Sequence, residues 1–569
     1  MKLLGNFDLY VAIIKEKTGL AINPTKSKLL VSSPDSLDDG VRLAAAALGV
    51  QVYTDGIRVM GVPVGTDQFI EDDVGARLEE YVQDLHCLRY FTPHDQFALL
   101  LYCVNQRPEF MMRALDIYLA KESFAAFDAQ VTDMLLEIMG VSQAHADLVR
   151  MRVDHMRGLR LSLSGLTVGH RSRPDVRVRA VRKSRDNVAR FLERYEPGML
   201  DIANEAWGAH QLPVVTIAPT DGFDADAARR SSDLVALHLK GHTIGDIPDS
   251  SVKRTLISGA PDLTVERKDA RNAADADAMA ADLVLHSRTM RGLADSHHSH
   301  NRQLAAQVLS SSCVNSGSAV RSVPTRQNHI NGVEFQQTLR LRCGVPCVLP
   351  LGAWRCNCKA HGGPKQDHFR ERVVAGNEGS RVAKCFKDQP LHGLICKRRW
   401  ARVVYRHNDI RDVLMKALRR ISGVVAAPEP RLSTSNQQRG DIRVTKGGTS
   451  WTVDVGVILP GTQSHVDKHR THKVPGAAAS DFERRKVQKY AGHVAEKFTP
   501  FIVETGGRLG AAALAFVDEI VDADTSRGRS DAHHIFTAIS RSLVRQQGYM
   551  LRNIIEEIPR PDAAMEASV

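Results

Sequence analysis

The sequence has no run of about 18 consecutive apolar residues, the length that a membrane-spanning helix needs. Its first residues also lack the apolar stretch of a secretory signal, because Asp8, Lys15 and Glu16 interrupt it. These absences favour a nuclear or cytoplasmic location and argue against secretion and against a membrane partner. In a reducing compartment the nine cysteines would be thiols or metal ligands and not a disulfide framework.

The chain is basic, since 76 Lys and Arg residues stand against 65 Asp and Glu residues and give a net charge of +11. This balance suits a polyanionic partner such as nucleic acid, although a basic protein without such a partner has a similar composition. At roughly 100–200 residues per domain, a length of 569 residues predicts several domains.

Hydrophobic periodicity predicts mostly helices in the first two thirds of the chain. A hairpin is predicted before them over residues 50–64, with its turn at Asp55-Gly56. The predicted helices are Val74–Leu88, Asp95–Asn105, Met111–Leu119 and Phe124–Met139, with two more within 177–240. Residues 265–330 are poor in aromatics and rich in Ala, Asp, Ser and His, which is typical of a linker or a weakly ordered helix. Their histidine cluster (His297, His298, His300) could bind metal, but the linker is the favoured interpretation.

Two acidic residues are predicted to face each other across a hairpin. Asp441–Val444 and Ser450–Ile458 have strand-like sequences, and Gly447-Gly448 suits the tight turn between them because glycine readily adopts positive φ. With the turn centred between these glycines, Asp441 pairs with Asp454. Directly paired residues share a face, with Cβ atoms about 4.5–5.5 Å apart. Two carboxylates there repel unless one is protonated or a cation lies between them.

Such a pair predicts a magnesium site. Mg²⁺ takes oxygen ligands from one or two carboxylates and completes its shell with water and phosphate oxygens. The competing interpretation is two edge carboxylates that face solvent. The metal site is favoured because Val453 and Val455 flank Asp454 in a run that otherwise looks buried.

A basic helix is predicted after the hairpin. Ser480 and Glu483 have the spacing of a capping box, which predicts a helix start near Asp481. One face of this helix would then carry Lys486, Lys489, Tyr490 and His493. A lysine beside a metal–phosphate centre can orient the attacking water or offset charge on the scissile phosphate. The alternative is a solvated basic face. A strand from Phe498 to a glycine turn at Gly507 and a helix over Ala511–Val521 complete an α/β core.

Residues 406–510 resemble the restriction-like endonuclease of site-specific non-LTR retrotransposons, within the PD-(D/E)xK nuclease superfamily. The matching pieces are Arg406-His407-Asn408, Arg439-Gly440-Asp441, Asp454-Val455-Gly456-Val457, Lys486-x-x-Lys489-Tyr490 and Glu504–Gly510. Gly440 stands where the family has proline. Gly456 stands where the standard motif has lysine, as expected if the lysine has moved to the helix.

The resemblance implies a role for each matched residue. Asp441 and Asp454 would be the catalytic Mg²⁺ ligands, Lys489 the catalytic lysine with Lys486 as the second choice, and Tyr490 a neighbour of the site. The motif that precedes the nuclease core, Arg406-His407-Asn408, would contact nucleic acid.

The family also places a Cys-Cys-His-Cys zinc knuckle before the nuclease domain. Six of the nine cysteines fall between Cys343 and Cys396, and Cys356, Cys358 and His368 resemble the first three ligands. The expected fourth position holds no ligand, and either Cys385 or His361 could replace it. Thiolate and imidazole ligands at such spacing suit Zn²⁺. The alternative is a vestigial knuckle.

The N-terminal residues resemble another part of the same polyprotein. Residues 19–28 are similar to the late palm segment of a reverse transcriptase, and residues 59–65 to its primer-grip hairpin, with thumb-like helices beyond. The metal-binding aspartates of a polymerase are missing, because Asp38-Asp39 and Asp72-Asp73 lie in the wrong contexts. Polymerase activity is therefore not expected, and the chain resembles a fragment of a longer reading frame or a decayed copy.

These observations predict an α+β multidomain protein with a mostly helical N-terminal two thirds and a C-terminal α/β core like that of restriction endonucleases. The expected domains are a partial palm (1–68), a helical thumb-like region (69–264), a linker (265–335), a zinc-knuckle-like segment (336–400) and the endonuclease (401–560). The expected activity is Mg²⁺-dependent nicking of target DNA for target-primed reverse transcription, with target DNA and element RNA as partners. The alternatives are a catalytically inactive nucleic-acid-binding remnant and a pseudogene product.

Overall fold

In the computed structural model, the described residues are 39–143, 181–209, 299–346, 391–395, 400–428, 440–491 and 494–556, with short gaps in several ranges and a few scattered residues elsewhere. The candidate zinc ligands Cys356, Cys358, His361, His368 and Cys385 lie outside these residues, as do His297, His298 and His493. The chain divides into two compact units. The first comprises 1–87, 104–131 and 171–215, and the second comprises 88–103, 132–170 and 216–569.

The predicted hairpin over 50–64 is wrong in its pairing. Strand β1 (Lys28–Leu30) is followed by helix α1 (Asp39–Ala47) and pairs in parallel with β2 (Gln51–Tyr53). The hairpin is formed instead by β3 (Gly56–Val59) and β4 (Val62–Gly65). Its turn is Met60-Gly61, with φ of 50° and 87°. Gly56 is not a turn residue but a point of close approach, because a Cβ there would meet the ring of Phe69.

Four predicted N-terminal helices, and one of the two predicted within 177–240, are confirmed with shifted ends. They are α2 (Asp67–Cys87), α3 (Pro93–Leu99, extended by a π-helical turn at Leu100–Val104), α4 (Glu109–Ala114), α5 (Lys121–Ile138) and α6 (Pro197–Ala209). Helix α3 starts earlier than predicted because Thr92 caps it, with its side chain accepting from Asp95 N, and Pro93 occupies the first turn.

The described residues 299–335, for which the sequence predicts a linker or a weakly ordered helix, contain helices. They form helix α7 (Ser299–Ser311), a 3₁₀ turn (Val314–Gly317), helix α8 (Ser318–Arg321) and the start of helix α9 (Gly332–Arg342). Leu304, Ala305 and Val308 of α7 are fully buried. Much of the buried surface here consists of small and polar side chains held by hydrogen bonds, which hydropathy does not detect.

The C-terminal core is a four-stranded sheet between helices. Helix α10 (Trp400–Leu418) precedes β5 (Val424–Pro428), β6 (Ile442–Lys446) and β7 (Thr449–Ile458). Helices α11 (Gln463–His469) and α12 (Ala477–Tyr490) lead to β8 (Lys497–Glu504), and α13 (Ala511–Val521) and α14 (Ser526–Glu556) follow. The strand order is β5-β6-β7-β8. The pairs up to β7 are antiparallel, and β7 and β8 are parallel.

The predicted carboxylate hairpin and its register are confirmed. Ile442 pairs with Val453 and Lys446 pairs with Thr449. Gly447 and Gly448 form the turn, with φ of 54° and 81°. The predicted strand into Glu504 and the helix over Ala511–Val521 are confirmed as well.

Each face of the sheet packs against helices. Trp451, Val453 and Val455 of β7 belong to the main core, together with residues of α10, α13 and α14. On the other face, Ile458 and Ile502 pack against Ala478, Ala479 and Phe482 of α12. Because side chains alternate along a strand, Asp454 lies on the face that α12 covers.

The predicted capping box at the start of the basic helix is wrong. Helix α12 begins earlier, at Ala477, after Gly476 with φ of 80°. Glu483 serves a different helix, because its Oε1 accepts a hydrogen bond from Ala512 N at 3.0 Å. That main-chain group belongs to the first turn of α13, whose N-cap Gly510 has no side chain to provide.

A smaller apolar cluster joins residues that are distant in sequence. It contains Leu304 of α7, Leu341 of α9, Leu391, Leu394, Leu459 and Leu551 of α14. Among the helices that the structure describes, none combines the length and the hydropathy that crossing a membrane requires.

Candidate active site

The structure brings Asp441 and Asp454 together on the α12 side of the sheet. Asp441 directly precedes β6, and its main-chain N donates to Val453 O at 3.1 Å. Its carboxylate Oδ2 accepts from the main-chain N of Val455 at 2.7 Å. Asp454 is only 5% exposed, and its carboxyl interacts with that of Asp441 through charge and a hydrogen bond. The side chains therefore share a face, as the register of the hairpin requires.

The two carboxyls have pKa values that are shifted in opposite directions. Burial raises the pKa of Asp454, and the charge of Asp441 raises it further, against the opposing effect of Lys486. Burial also acts to raise the pKa of Asp441, but the hydrogen bond and charge of His407, the N–H of Val455 and the charge of Lys486 outweigh it and lower this pKa. Asp441 is thus the carboxylate that stays ionised, and Asp454 is the one that protonates first on acidification.

Of the two candidate lysines, Lys486 contacts the pair. Its Nζ forms an ion pair with Oδ2 of Asp454 and donates to Val455 O at 3.2 Å. Nζ of Lys489 donates instead to the hydroxyl of Tyr490 at 3.1 Å and lies 4.6 Å from the centre of that ring. The hydrogen bond with Tyr490 raises the pKa of Lys489, and the charges of Asp454 and Asp441 contribute. Lys489 is therefore near the carboxylates, but its hydrogen-bond partner is Tyr490.

The helical spacing of the sequence already favours Lys486 over Lys489 as the lysine that faces the sheet. Phe482 packs against the sheet, and Lys486 follows it by four residues, so the two side chains lie on one face of α12. The sequence alone does not show that this turn of the helix lies level with Asp454. Tyr490 is buried and packs against Phe498, with ring centroids 4.8 Å apart.

The three residues predicted to contact nucleic acid have different environments. Arg406 is buried, with 2% of its surface exposed, and burial lowers its pKa to about 10. This burial argues against the predicted direct contact of Arg406 with a nucleic acid. Nε2 of His407 lies 3.2 Å from Oδ1 of Asp441, and Asn408 is half-buried. His407 therefore orients a carboxylate, a role that sequence reasoning missed together with that of the Val455 N–H.

The donor set suits Mg²⁺ with open positions. Within the described ranges, no group of three or more His, Cys, Asp or Glu side chains could hold a metal ion. Mg²⁺ is commonly bound through one or two carboxylates, with water and substrate phosphate as the other ligands. Oδ2 of Asp454 is buried and, among the described residues, receives no well-directed hydrogen bond beyond its contact with Lys486. The residues therefore fit a hard cation that is completed by substrate.

No protein-family model matches the sequence, and no curated protein matches it. The structure itself defines a mixed α+β protein that is mostly helical, with a small C-terminal sheet. The origin in a retrotransposon therefore stays a prediction that depends on the motifs quoted above.

Proposed function

We propose that this protein is a Mg²⁺-dependent endonuclease that nicks target DNA, in the manner of the retrotransposon nucleases that residues 406–510 resemble. In that setting the nick would prime reverse transcription of an element RNA. The observation that carries the proposal is the pairing of Asp441 with Asp454 on one face of the sheet, with the ammonium of Lys486 against Asp454.

The carboxylates would hold the cation. Mg²⁺ bound there would supply positive charge that stabilises the charge developing on the scissile phosphate. His407 and the Val455 N–H each hold one oxygen of Asp441, which fixes the orientation of this carboxylate before substrate binds. Such preorganisation avoids the reorientation that would otherwise accompany metal binding.

Lys486 would have two tasks. Its charge lowers the pKa of Asp454 and so opposes the effect of burial, which keeps more of this carboxylate ionised and able to bind the cation. The same ammonium would neutralise charge on a phosphate bound at the pair. Lys489 is exposed on the next turn, where it would contact the neighbouring part of the DNA, and the buried Tyr490 would hold its ammonium through their hydrogen bond.

The test is a plasmid-nicking assay on the full chain with Mg²⁺ and with EDTA. Wild-type protein should produce nicked circles only with Mg²⁺, and Asp454→Ala should abolish nicking while DNA binding persists. The matched control is Asp467→Ala, which removes an exposed carboxylate on α11 and should nick like wild type. A fully active Asp454→Ala protein would rule the site out.

A second candidate function is nucleic-acid binding without cleavage. The Lys486–Asp454 ion pair supports it, because it compensates the buried carboxylate without a metal. This function predicts a steep loss of binding with salt and no Mg²⁺-dependent nicking by the wild-type protein.

A further inference from the structure

A cleft lies at the N-terminal end of α10, apart from the carboxylate pair. It has a volume of about 700 Å³ and is formed within the second compact unit. Its lining includes Thr92, His329, Glu334, Arg402, Arg545 and Tyr549. These residues come from the start of α3, the approach to α9 and its first turn, the first turn of α10 and the C-terminal half of α14. Several helical segments therefore surround one opening.

Two arginines and one glutamate line the cleft. Arg402 and Arg545 both contribute, and Arg545 donates to the main-chain O of His329 at 3.4 Å. The acidic group is Glu334, which lies 3.7 Å from the guanidinium of Arg552. Burial raises the pKa of Glu334, with Arg552 and Arg545 opposing this effect. The cleft therefore has an excess of positive charge and suits an anion.

The ring of Tyr549 lines the cleft beside these cations, and three exposed rings are close in sequence to lining residues. The guanidinium of Arg402 lies 4.3 Å from the ring centre of Tyr549 and donates to its hydroxyl at 3.0 Å. Tyr405, one turn along α10, is 58% exposed. Tyr90 and Phe91, which directly precede Thr92, are 89% and 50% exposed. A basic groove with accessible rings is the arrangement by which proteins hold single-stranded nucleic acid, with cations on phosphates and bases stacked on aromatics.

We propose that this cleft binds single-stranded nucleic acid. The guanidiniums of Arg402 and Arg552 lie 4.3 and 4.9 Å from the ring centre of Tyr549. On binding, Arg402 moves to a phosphate, as does Arg545, and a base takes its place on the Tyr549 ring. A volume in the range of small-ligand pockets accommodates one or two nucleotides and excludes a base-paired duplex. The inference rests on the proposed function only in taking nucleic acid as the partner.

The cleft is connected to the carboxylate pair by a single helix. Arg402 lines the cleft, and His407 on the same helix contacts Asp441. Five residues of helix correspond to about 8 Å along its axis. A strand held in the cleft is therefore within a few nucleotides of the carboxylates, so the cleft can hold a displaced strand beside the site of nicking.

The test measures binding of a fluorescent oligothymidylate of about 15 nucleotides by anisotropy, with the full chain in EDTA so that no cleavage occurs. Arg402→Gln should weaken binding about tenfold and reduce the slope of log K against log salt by about 0.7, the value for one phosphate contact on a single strand. Tyr549→Leu should weaken binding at least about fivefold, whereas Tyr549→Phe should retain it.

The matched control is Lys416→Gln, which removes one positive charge from an exposed position near the other end of α10 and should bind like wild type. Arg402→Lys keeps the charge and replaces Arg402→Gln in the comparison if that variant does not fold. Thermal unfolding is recorded for every variant.

The proposal would be overturned by wild-type binding of both Arg402→Gln and Tyr549→Leu. An equal loss of binding with Lys416→Gln, or an equal loss of duplex binding in the cleft variants, would overturn it as well. Competition by thymidine monophosphate as effective as that by the oligonucleotide would also overturn it, by identifying a nucleotide pocket. The nuclease proposal fails separately, because absence of nicking by wild-type protein leaves the EDTA binding result intact.

Discussion

Lys486 of α12 and Asp454 of β7 form an ion pair across the interface between helix and sheet, and the same ammonium donates to Val455 O. Two contacts on one strand fix the position of this side chain. Lys489 has its hydrogen bond to Tyr490 instead. The two lysines that the family resemblance leaves as alternatives thus have different partners.

We expect the two lysines to differ in their effect on nicking. Lys486→Met should reduce the single-turnover rate by about 100-fold, the usual loss when one preorganised charge-stabilising group is removed from an active site. Lys489→Met should have a smaller effect, because its ammonium contacts Tyr490 and not a carboxylate. The measurement is the nicking rate in Mg²⁺ at saturating protein. A larger loss with Lys489→Met would assign the catalytic role to that lysine.

Nicking should fall at acid pH, because cation binding needs both carboxylates ionised. Burial raises the pKa of Asp454, so this group takes up a proton before Asp441 does. His407 is the main group that lowers the pKa of Asp441 against the effect of burial. Without it both carboxyls of the pair would take up protons early, so His407→Ala should shift the acid limb of the pH–rate profile to higher pH. His86→Ala, at an exposed position on α2, is the control. An unshifted limb in His407→Ala would contradict the role assigned to the histidine.

His94 should make the stability of the second unit depend on pH. Burial, with a contribution from His329, lowers the pKa of His94 from 6.5 to about 4. Between these values the unfolded chain binds a proton that the folded chain does not, so the free energy of unfolding decreases as pH falls through this window. The decrease is at most about 3 kcal/mol.

The corresponding variant is His94→Asn, whose amide oxygen can replace Nδ1 as the acceptor of the Ile330 N–H. Its unfolding midpoint should change less between pH 4 and pH 6.5 than that of wild type, when both are followed by circular dichroism. Equal pH dependence of the two proteins would show that His94 is not the titrating group.

Glu483 should stabilise α13 from outside that helix. Because its carboxylate accepts from Ala512 N, Glu483→Ala should lower the free energy of unfolding by about 1–2 kcal/mol, the usual effect of losing a helix cap. Glu483→Gln keeps an acceptor and should lose less. Glu519→Ala is the control, since it removes only an exposed ion pair with Lys497 and should change stability by less than about 1 kcal/mol. Urea unfolding measures all three.

The parts of the fold that sequence predicted are those set by local rules. Gly447-Gly448 can take positive φ at both positions, which fixes the turn, and the turn fixes the partner of every residue in the hairpin. The approach of Asp441 to Asp454 follows from that register. The prediction of helix α13 also depended on local sequence alone, because a glycine turn precedes a continuous run of helix-forming residues.

The parts that sequence missed depend on distant neighbours. Glu483 has the spacing of a capping box, but the main-chain donor it reaches belongs to another helix. Helix α7 is polar on much of its buried side, where Gln307 accepts from Thr505 and Ser310 accepts from Gly506 N. Neither partner can be identified before the chain is folded. In the sequence Gly56 looks like a turn residue. In the structure a glycine is required there because the Phe69 ring leaves no space for a Cβ.

The leucine cluster that contains both Leu341 and Leu391 has a consequence for the evolution of the chain. The residues on either side of the candidate zinc-binding segment meet in one apolar cluster, so this segment begins and ends on the same body. Changing the length of an insertion with anchored ends has a small entropic effect, about 0.6 kcal/mol for each doubling. The number of residues between Leu341 and Leu391 can therefore change while the sheet and its carboxylates keep their geometry.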